Sequence, residues 1–344
     1  MKLLILIGLV LLIIAAHQLM RVIELSREFK KTKEWEITDN DNSFNGKAML
    51  LAGFGLILFL FWQGNRWNDN ALPGAASVHG LKIDALWDIN MYLVVFVFVI
   101  TNAFLFYFAY KYAGKKGVKA TFLAHDNRLE MAWTIAPAIV LAGIIIFGLK
   151  YWNEITDRAV DPNKLTIELY AKQFDWTARY AGNDKKLGLT DYRQIDGGNS
   201  VGMDTLDPSG YDDILVKNEF HIPVNREIEF KMRSRDVIHS AYMPHFRAQM
   251  NCVPGMITEF KFTPNKTTAE MRKDPYVIHL MEGINEARAK KGQEAVEFDY
   301  ILLCNKICGA SHYNMQMTII VESEKDYSAW IATQKAVKTI ASKN

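Results

Sequence analysis

Four apolar runs dominate the first 150 positions, over residues 3–16, 48–62, 86–109 and 131–149. A membrane-spanning helix needs about 20 consecutive apolar residues. The last two runs reach that length; the first two do so only if flanking residues such as Leu19, Met20 and Phe44 are drawn in. From Lys164 the period changes to two. "LTIELYAKQFDWTARY" alternates apolar and polar positions as a half-buried strand does, and "EIEFKMRS", "GMITEFKFTP" and "MTIIVES" follow the same pattern. "AGNDKKLGLTDYRQIDGGNSVGMDTLDPSG" reads as a long polar loop. "TTAEMRKDPYVIHLMEGINEARAKKGQEAVEF" is rich in Ala, Glu and Lys and predicts helical pieces inserted before the last strands. "EKDYSAWIATQKAVKTIA" predicts an amphipathic terminal helix. The pattern is membrane helices plus an all-β domain, a β-sandwich or Greek-key barrel. It divides into two N-terminal spans with a basic loop (1–63), a helix hairpin (84–152), the β domain (160–325) and a C-terminal helix (326–344).

Charge turns the runs into a topology. Orientation follows Lys and Arg in short loops, which stay on the cytoplasmic side. The first loop holds Arg21, Arg27, Lys30, Lys31, Lys33 and Lys47; the second, Arg66 and Lys82; the third, Lys111, Lys115, Lys116, Lys119 and Arg128. Rich, poor, rich fits four transmembrane helices with the N-terminus and the β domain both outside. A cleaved signal peptide is the competing reading of the first run. It places Ile13 or Ile14 where cleavage needs a small residue, and it would export the first basic loop. The net charge of +2 and the lack of a long basic stripe argue against a nucleic-acid partner.

Three cysteines are too few for a disulfide scaffold, but two share the stretch "CNKICGASHYNM". Cys304, Cys308, His312 and Met315 follow C-x3-C-x3-H-x2-M. Thiolates and a thioether are soft ligands, and imidazole suits copper. Zinc does not ordinarily take methionine. A c-type haem needs C-x-x-C-H, which the chain lacks. A disulfide would leave His312 and Met315 unexplained. A mononuclear blue-copper site uses one cysteine. Two thiolates can instead bridge two copper ions, and each ion then needs a terminal nitrogen. The second histidine comes from elsewhere: His239, just after an alternating strand, and its rival His245 in the same segment are candidates, as are His221 and His279.

Several strings together resemble subunit II of a haem–copper cytochrome c oxidase, over roughly residues 84–180 and 215–330. "LEMAWTIAPAIVL" resembles the start of that family's second membrane helix, and "AKQFDW" the aromatic strand opening its cupredoxin domain. "DVIHS" and "CNKICGASHYNM" resemble the two halves of its binuclear copper site, CuA. The resemblance implies that Cys304 and Cys308 bridge the coppers. It implies that His239 and Met315 serve one ion, and His312 with the Lys306 backbone carbonyl the other. It matches Glu130 to a proton-pathway entrance on the cytoplasmic side. It further implies an electron relay, with oxygen reduced in a catalytic subunit I that carries haem and copper. Other oxidase subunits, a c-type cytochrome donor and lipid would be partners, in a bacterial inner membrane with the copper domain on the periplasmic face. The family's magnesium-binding glutamate is replaced by Lys306, its first tryptophan by Phe174, an acidic position by Arg235 and a common arginine by Met256. Two N-terminal helices are additional to the family's usual pair. Phe174, Arg235 and the two extra helices favour a donor that is tethered or held in a supercomplex. Two other readings are a quinol-oxidase subunit II, which would lack the copper ligands, and a membrane-anchored copper carrier.

Overall fold

The apolar runs form helices that extend well into their polar flanks. The computed structural model describes residues 2–29, 38–67, 72–157 and 161–337. Its first four helices are α1 (Lys2–Phe29), α2 (Asp39–Trp67), α3 (Val78–Lys111) and α4 (Asn127–Thr156). Among the described residues, α2, α3 and α4 are long and apolar enough to cross a membrane. Four spans were expected. The fourth falls in α1, which is helical, but the side chains of residues 1–10 lie outside the described residues. α2 outlasts its apolar run because Asp39 and Asp41 occupy its first turn, where carboxylates complement the helix dipole. α2 meets α3 through glycine: a Cβ on Gly53 would fall 2.1 Å from the Phe106 ring. Further along, Asn42 Nδ2 donates to the Gly114 carbonyl at 3.0 Å, and the Lys116 amide to Asp39 Oδ1 at 2.7 Å.

The alternating segments form two five-stranded sheets. The strands are β1 (Leu165–Lys172), β2 (Asp175–Tyr180), β3 (Ile214–Val216), β4 (Glu219–Pro223), β5 (Ile228–Ser234), β6 (His239–Met243), β7 (Ala248–Cys252), β8 (Thr258–Phe262), β9 (Tyr300–Cys304) and β10 (Gln316–Glu322). One sheet runs β3-β2-β1-β5-β8 and the other β4-β10-β9-β6-β7. Their buried residues, among them Ile167, Leu169, Trp176, Phe230, Leu302 and Ile319, belong to one apolar cluster. The domain is a cupredoxin-like β-sandwich of two open sheets rather than a closed barrel.

The segment 165–180, which alternates like one half-buried strand, is two strands paired antiparallel, turning at Gln173 and Phe174. Both strands are buried on nearly every residue. The polar loop that follows is the reason, because it contributes carboxylate and backbone partners to the charged residues of β1 and β2. Arg179 pairs with Glu168 at 2.7 Å and with Asp213 at 3.1 Å, and its guanidinium donates to the Gly188 carbonyl at 3.0 Å. Arg233 also bonds Glu168 and reaches the Val201 carbonyl. Burial pushes the Asp213 carboxyl up to about 6, against the pull of Arg179.

Between β8 and β9 come α5 (Thr268–Met271) and α6 (Pro275–Ala289). Thr267 and Glu270 form a capping box at the first, and Asp274 caps the second ahead of Pro275. The last helix, α7 (Glu324–Thr333), is capped by Ser323, and its Trp330 stacks on His221 at 4.1 Å. It begins two residues before the expected 326 and ends at Thr333; residues 338–344 lie outside the described ones.

Candidate metal centre

Three strands end at one place. β6 begins at His239, β9 ends at Cys304, and β10 begins just after Met315. Ala241 is the register partner of Cys304, the Cys304 amide donates to the Met315 carbonyl at 3.0 Å, and the Asn305 amide to the Ser240 carbonyl at 3.0 Å. The loop 305–315 is thereby closed at its base on a rigid frame. Inside it a short 3-10 turn, His312–Asn314, brings His312 back toward the cysteines.

Cys304 Sγ lies 3.8 Å from Cys308 Sγ, 3.7 Å from His239 Nδ1 and 3.3 Å from the Lys306 carbonyl oxygen. Cys308 Sγ lies 3.5 Å from His312 Nδ1 and 3.8 Å from Met315 Sδ. All six donor groups anticipated from the sequence are therefore brought together. The sulfurs are too far apart for a disulfide, whose bond is about 2.05 Å. Ligand bonds of about 2.0–2.3 Å at tetrahedral angles put two ligands of one ion about 3.5 Å apart. The observed separations are of that size. Two thiols, a thioether, two imidazoles and one carbonyl make a soft donor set that fits copper and not magnesium or calcium.

Each imidazole turns its Nδ1 to a different sulfur. His239 is fully buried, and its Nε2 donates to Asp236 Oδ1 at 2.8 Å, which leaves Nδ1 with its lone pair toward Cys304. Asp236 also accepts from the Gln173 amide at 2.7 Å. The Gln173 side chain donates to the Cys308 carbonyl, and the Phe174 ring lies where a Cβ on Gly309 would come within 2.8 Å. Gly309 has φ +144°, in the region glycine tolerates. Burial and the neighbouring Cys304 push the Cys308 thiol up to about 11, so binding a metal means displacing its proton. Asp236 and Gln173 are site residues that sequence reasoning missed. Asp236 stood in the quoted "DVIHS" string and Gln173 in "AKQFDW", but their roles depend on two turns meeting.

The other candidates lie elsewhere. His245 sits beyond the far end of β6, packed against Phe298 and Tyr300 at 5.1 and 5.4 Å. Burial lowers it to about 4, so it is a neutral core residue. His221 stacks on Trp330, and His279 is exposed on α6. The Lys306 side chain is exposed. Glu130 occupies the first turn of α4, exposed, with roughly 39 Å of helix between it and Thr156. It is no part of this cluster.

A two-sheet sandwich with a cluster of soft donors at one end, in a chain with membrane-length helices, is the architecture of a membrane protein with a candidate metal site. Residues 65–151 match the transmembrane domain of cytochrome c oxidase subunit II, and residues 165–270 match its periplasmic domain. The alternative cytochrome c oxidase subunit 2 of Bradyrhizobium diazoefficiens is 29% identical over 86% of this chain and 94% of its own length. Cytochrome c oxidase subunit 2 of Thermostichus vulcanus is 23% identical over 84% of this chain and 86% of its own. A crystal structure of the periplasmic domain of subunit II from Bradyrhizobium japonicum covers 49% of this chain and 91% of that one, at 23% identity and TM-score 0.30. That score is too low to carry an argument. The chain belongs to the cytochrome c oxidase subunit II family, a copper-binding family, and is an electron-transfer subunit of a terminal oxidase complex.

Proposed function

We propose that this subunit holds a binuclear copper centre bridged by Cys304 and Cys308. His239 and Met315 complete one ion, and His312 with the Lys306 backbone carbonyl the other. The observation that carries the reading is the pair of sulfurs 3.8 Å apart, each faced by its own Nδ1. When bound, the copper pair supplies one-electron storage between a c-type cytochrome donor and the haem- and copper-containing catalytic subunit that reduces oxygen to water. The chain's own residues do the rest. Asp236 and Gln173 fix the imidazole and the loop, and the buried β6 and β9 ends exclude water from one side. The strands hold the donors in place whatever the charge they surround, which keeps reorganisation small. Copper quantification and electron paramagnetic resonance on the purified oxidase test this. Two coppers beyond the catalytic subunit's own, with one unpaired electron shared between them, is the expected result, and Cys308→Ser abolishes the sharing because a hydroxyl is a poor bridging ligand. One copper beyond the catalytic subunit's own supports the carrier reading, and none beyond it supports a quinol-type subunit.

The donor is proposed to be tethered or complex-bound, in the membrane of a bacterium with the β domain on the periplasmic face. Arg235 is exposed beside the cluster, Phe174 packs on Gly309, and Ile307 and Tyr313 expose 88% and 86% of their surface. Exposed Arg235, Lys306, Ile307 and Tyr313 bring no negative charge to attract a basic soluble cytochrome. Oxidation of such a cytochrome by the purified oxidase is expected to be slow and nearly independent of salt. Fast turnover that falls steeply with ionic strength would sink the proposal.

A further inference from the structure

β6 and β7 form a hairpin whose two ends do different work. Its register runs from His239↔Cys252 to Met243↔Ala248, a length of roughly 16 Å. One end delivers His239 to the donor cluster. The other is the turn Pro244–Phe246 followed by Arg247, whose backbone is left-handed at φ 51°. That turn is fastened to the start of α3. The Ala76 amide donates to the His245 carbonyl at 2.7 Å, and Ser77 Oγ donates to the Phe246 carbonyl at 2.8 Å. The Val78 amide donates to the Thr263 carbonyl at 3.0 Å. The Arg247 guanidinium closes the joint. Its Nε and Nη2 fork onto both oxygens of Asp84 in α3, at 2.7 and 2.9 Å. Nη2 also donates to the Pro73 carbonyl at 2.6 Å, and Nη1 to the Pro244 carbonyl at 2.8 Å. The Arg247 side chain is only 10% exposed. A planar fork on a carboxylate fixes direction as well as distance, which a lysine would not do.

The geometry points to Arg247 as a positioning residue that sets where the donor cluster stands relative to the first turns of α3. It touches no cluster residue. It acts through the hairpin, which is anchored by the turn at one end and carries His239 at the other. Electron delivery to a second subunit falls steeply with distance, so the clamp governs how fast charge leaves the site and not whether the site forms. This rests on the relay reading above.

The test uses the intact oxidase with Arg247→Gln, which keeps hydrogen bonding but loses the fork and the charge. Copper content and its resonance spectrum are expected to be unchanged. Amide hydrogen exchange at Ala76 and Val78 is expected to rise about tenfold, the scale of one lost charge-assisted pair, while β9 amides stay protected. After flash reduction of the site, electron transfer onward to the catalytic subunit is expected to slow, with reduction of the site by its donor unaffected. The swap Arg247→Asp with Asp84→Arg is expected to recover most of both changes. Unchanged exchange and unchanged onward transfer in Arg247→Gln overturn the proposal, as does loss of copper, which would make Arg247 part of the frame. Should the wild-type oxidase carry no copper beyond that of its catalytic subunit, the relay reading fails, and the exchange comparison still decides the clamp.

Discussion

Asp236 shows how a residue outside the ligand set can govern it. Burial opposes its charge, but hydrogen bonds from the Gln173 amide and from His239 hold its carboxyl below the usual carboxylate range. It therefore presents a fixed negative charge to the ring that faces Cys304. Replacing such an outer partner typically costs 10–100-fold in metal affinity. Asp236→Asn is expected to weaken copper binding by about that factor in a chelator competition. It is also expected to raise the reduction potential, because a negative charge that favours the oxidised state is gone. Unchanged affinity and potential together would reduce Asp236 to a turn-former. The C-x3-C-x3-H-x2-M spacing was legible because its four side chains lie in one loop, so chain order nearly equals geometry. Choosing between His239 and His245 needed more. His239 opens β6 and His245 lies just past its end, and only the direction of that strand puts one at the cluster and the other against Phe298 and Tyr300. Asp236 and Gln173 were illegible as partners, since each lies in a turn just past a strand and only the pairing of β1 with β5 brings the two turns together.

Among the elements, β1 and β2 are where alternation misleads. Glu168 and Arg179 stand at polar positions that read as solvent-facing, yet they are 3% and 2% exposed. The period of two reports which residues share a face, and not what covers that face. The covering segment has no apolar period to announce it: it docks through Asp213, through the carbonyls of Gly188 and Val201, and through the scattered apolar side chains of Val201 and Met203 beside Tyr170. The helical pieces between β8 and β9 were by contrast legible from composition, and their starts, the Thr267 capping box and Asp274–Pro275, are local chemistry. The buried network has a pH signature. The folded Asp213 carboxyl, at about 6, takes up a proton well before an unfolded aspartate does, near 3.9. This group therefore adds stability below about pH 4 that is lost as pH rises through 6. Asp213→Asn removes the titration. Between pH 7.5 and 4.5 the wild-type chain is expected to gain, relative to the variant, of the order of 2 kcal/mol in urea unfolding followed by tryptophan fluorescence. Parallel pH profiles would show that Arg179 keeps the carboxylate charged.

At the scale of the whole molecule, the open question is which ends of the helices share a side of the membrane. Asn42 bonds Gly114 and Asp39 bonds Lys116, so the start of α2 lies beside the end of α3 and the two run antiparallel. Their shared end carries Lys111, Lys115, Lys116 and Lys119. Basic short loops remain cytoplasmic, so that end is proposed to face the cytoplasm. The β domain then lies outside, and α1, if it crosses, begins outside. Cysteines introduced at Asp41 and Gly117 are expected to resist a membrane-impermeant reagent in intact cells, and one at Leu72 to react. An epitope added before Met1 is expected to be reachable from outside; its inaccessibility would leave three spans. Glu130 follows from the same arrangement. It lies in the first turn of α4, a few residues past the basic loop, so it would stand at the cytoplasmic mouth of the helix where protons are taken up. A carboxylate at a helix end can be merely solvated, and topology alone does not separate the two roles. Glu130→Gln does, because it preserves shape and loses ionisation. Turnover of the assembled oxidase is expected to fall several-fold while the copper signal of the outer domain stays as it was. If turnover is unchanged across pH with Gly117 shown to be cytoplasmic, the residue is on the proton-uptake side but carries no protons.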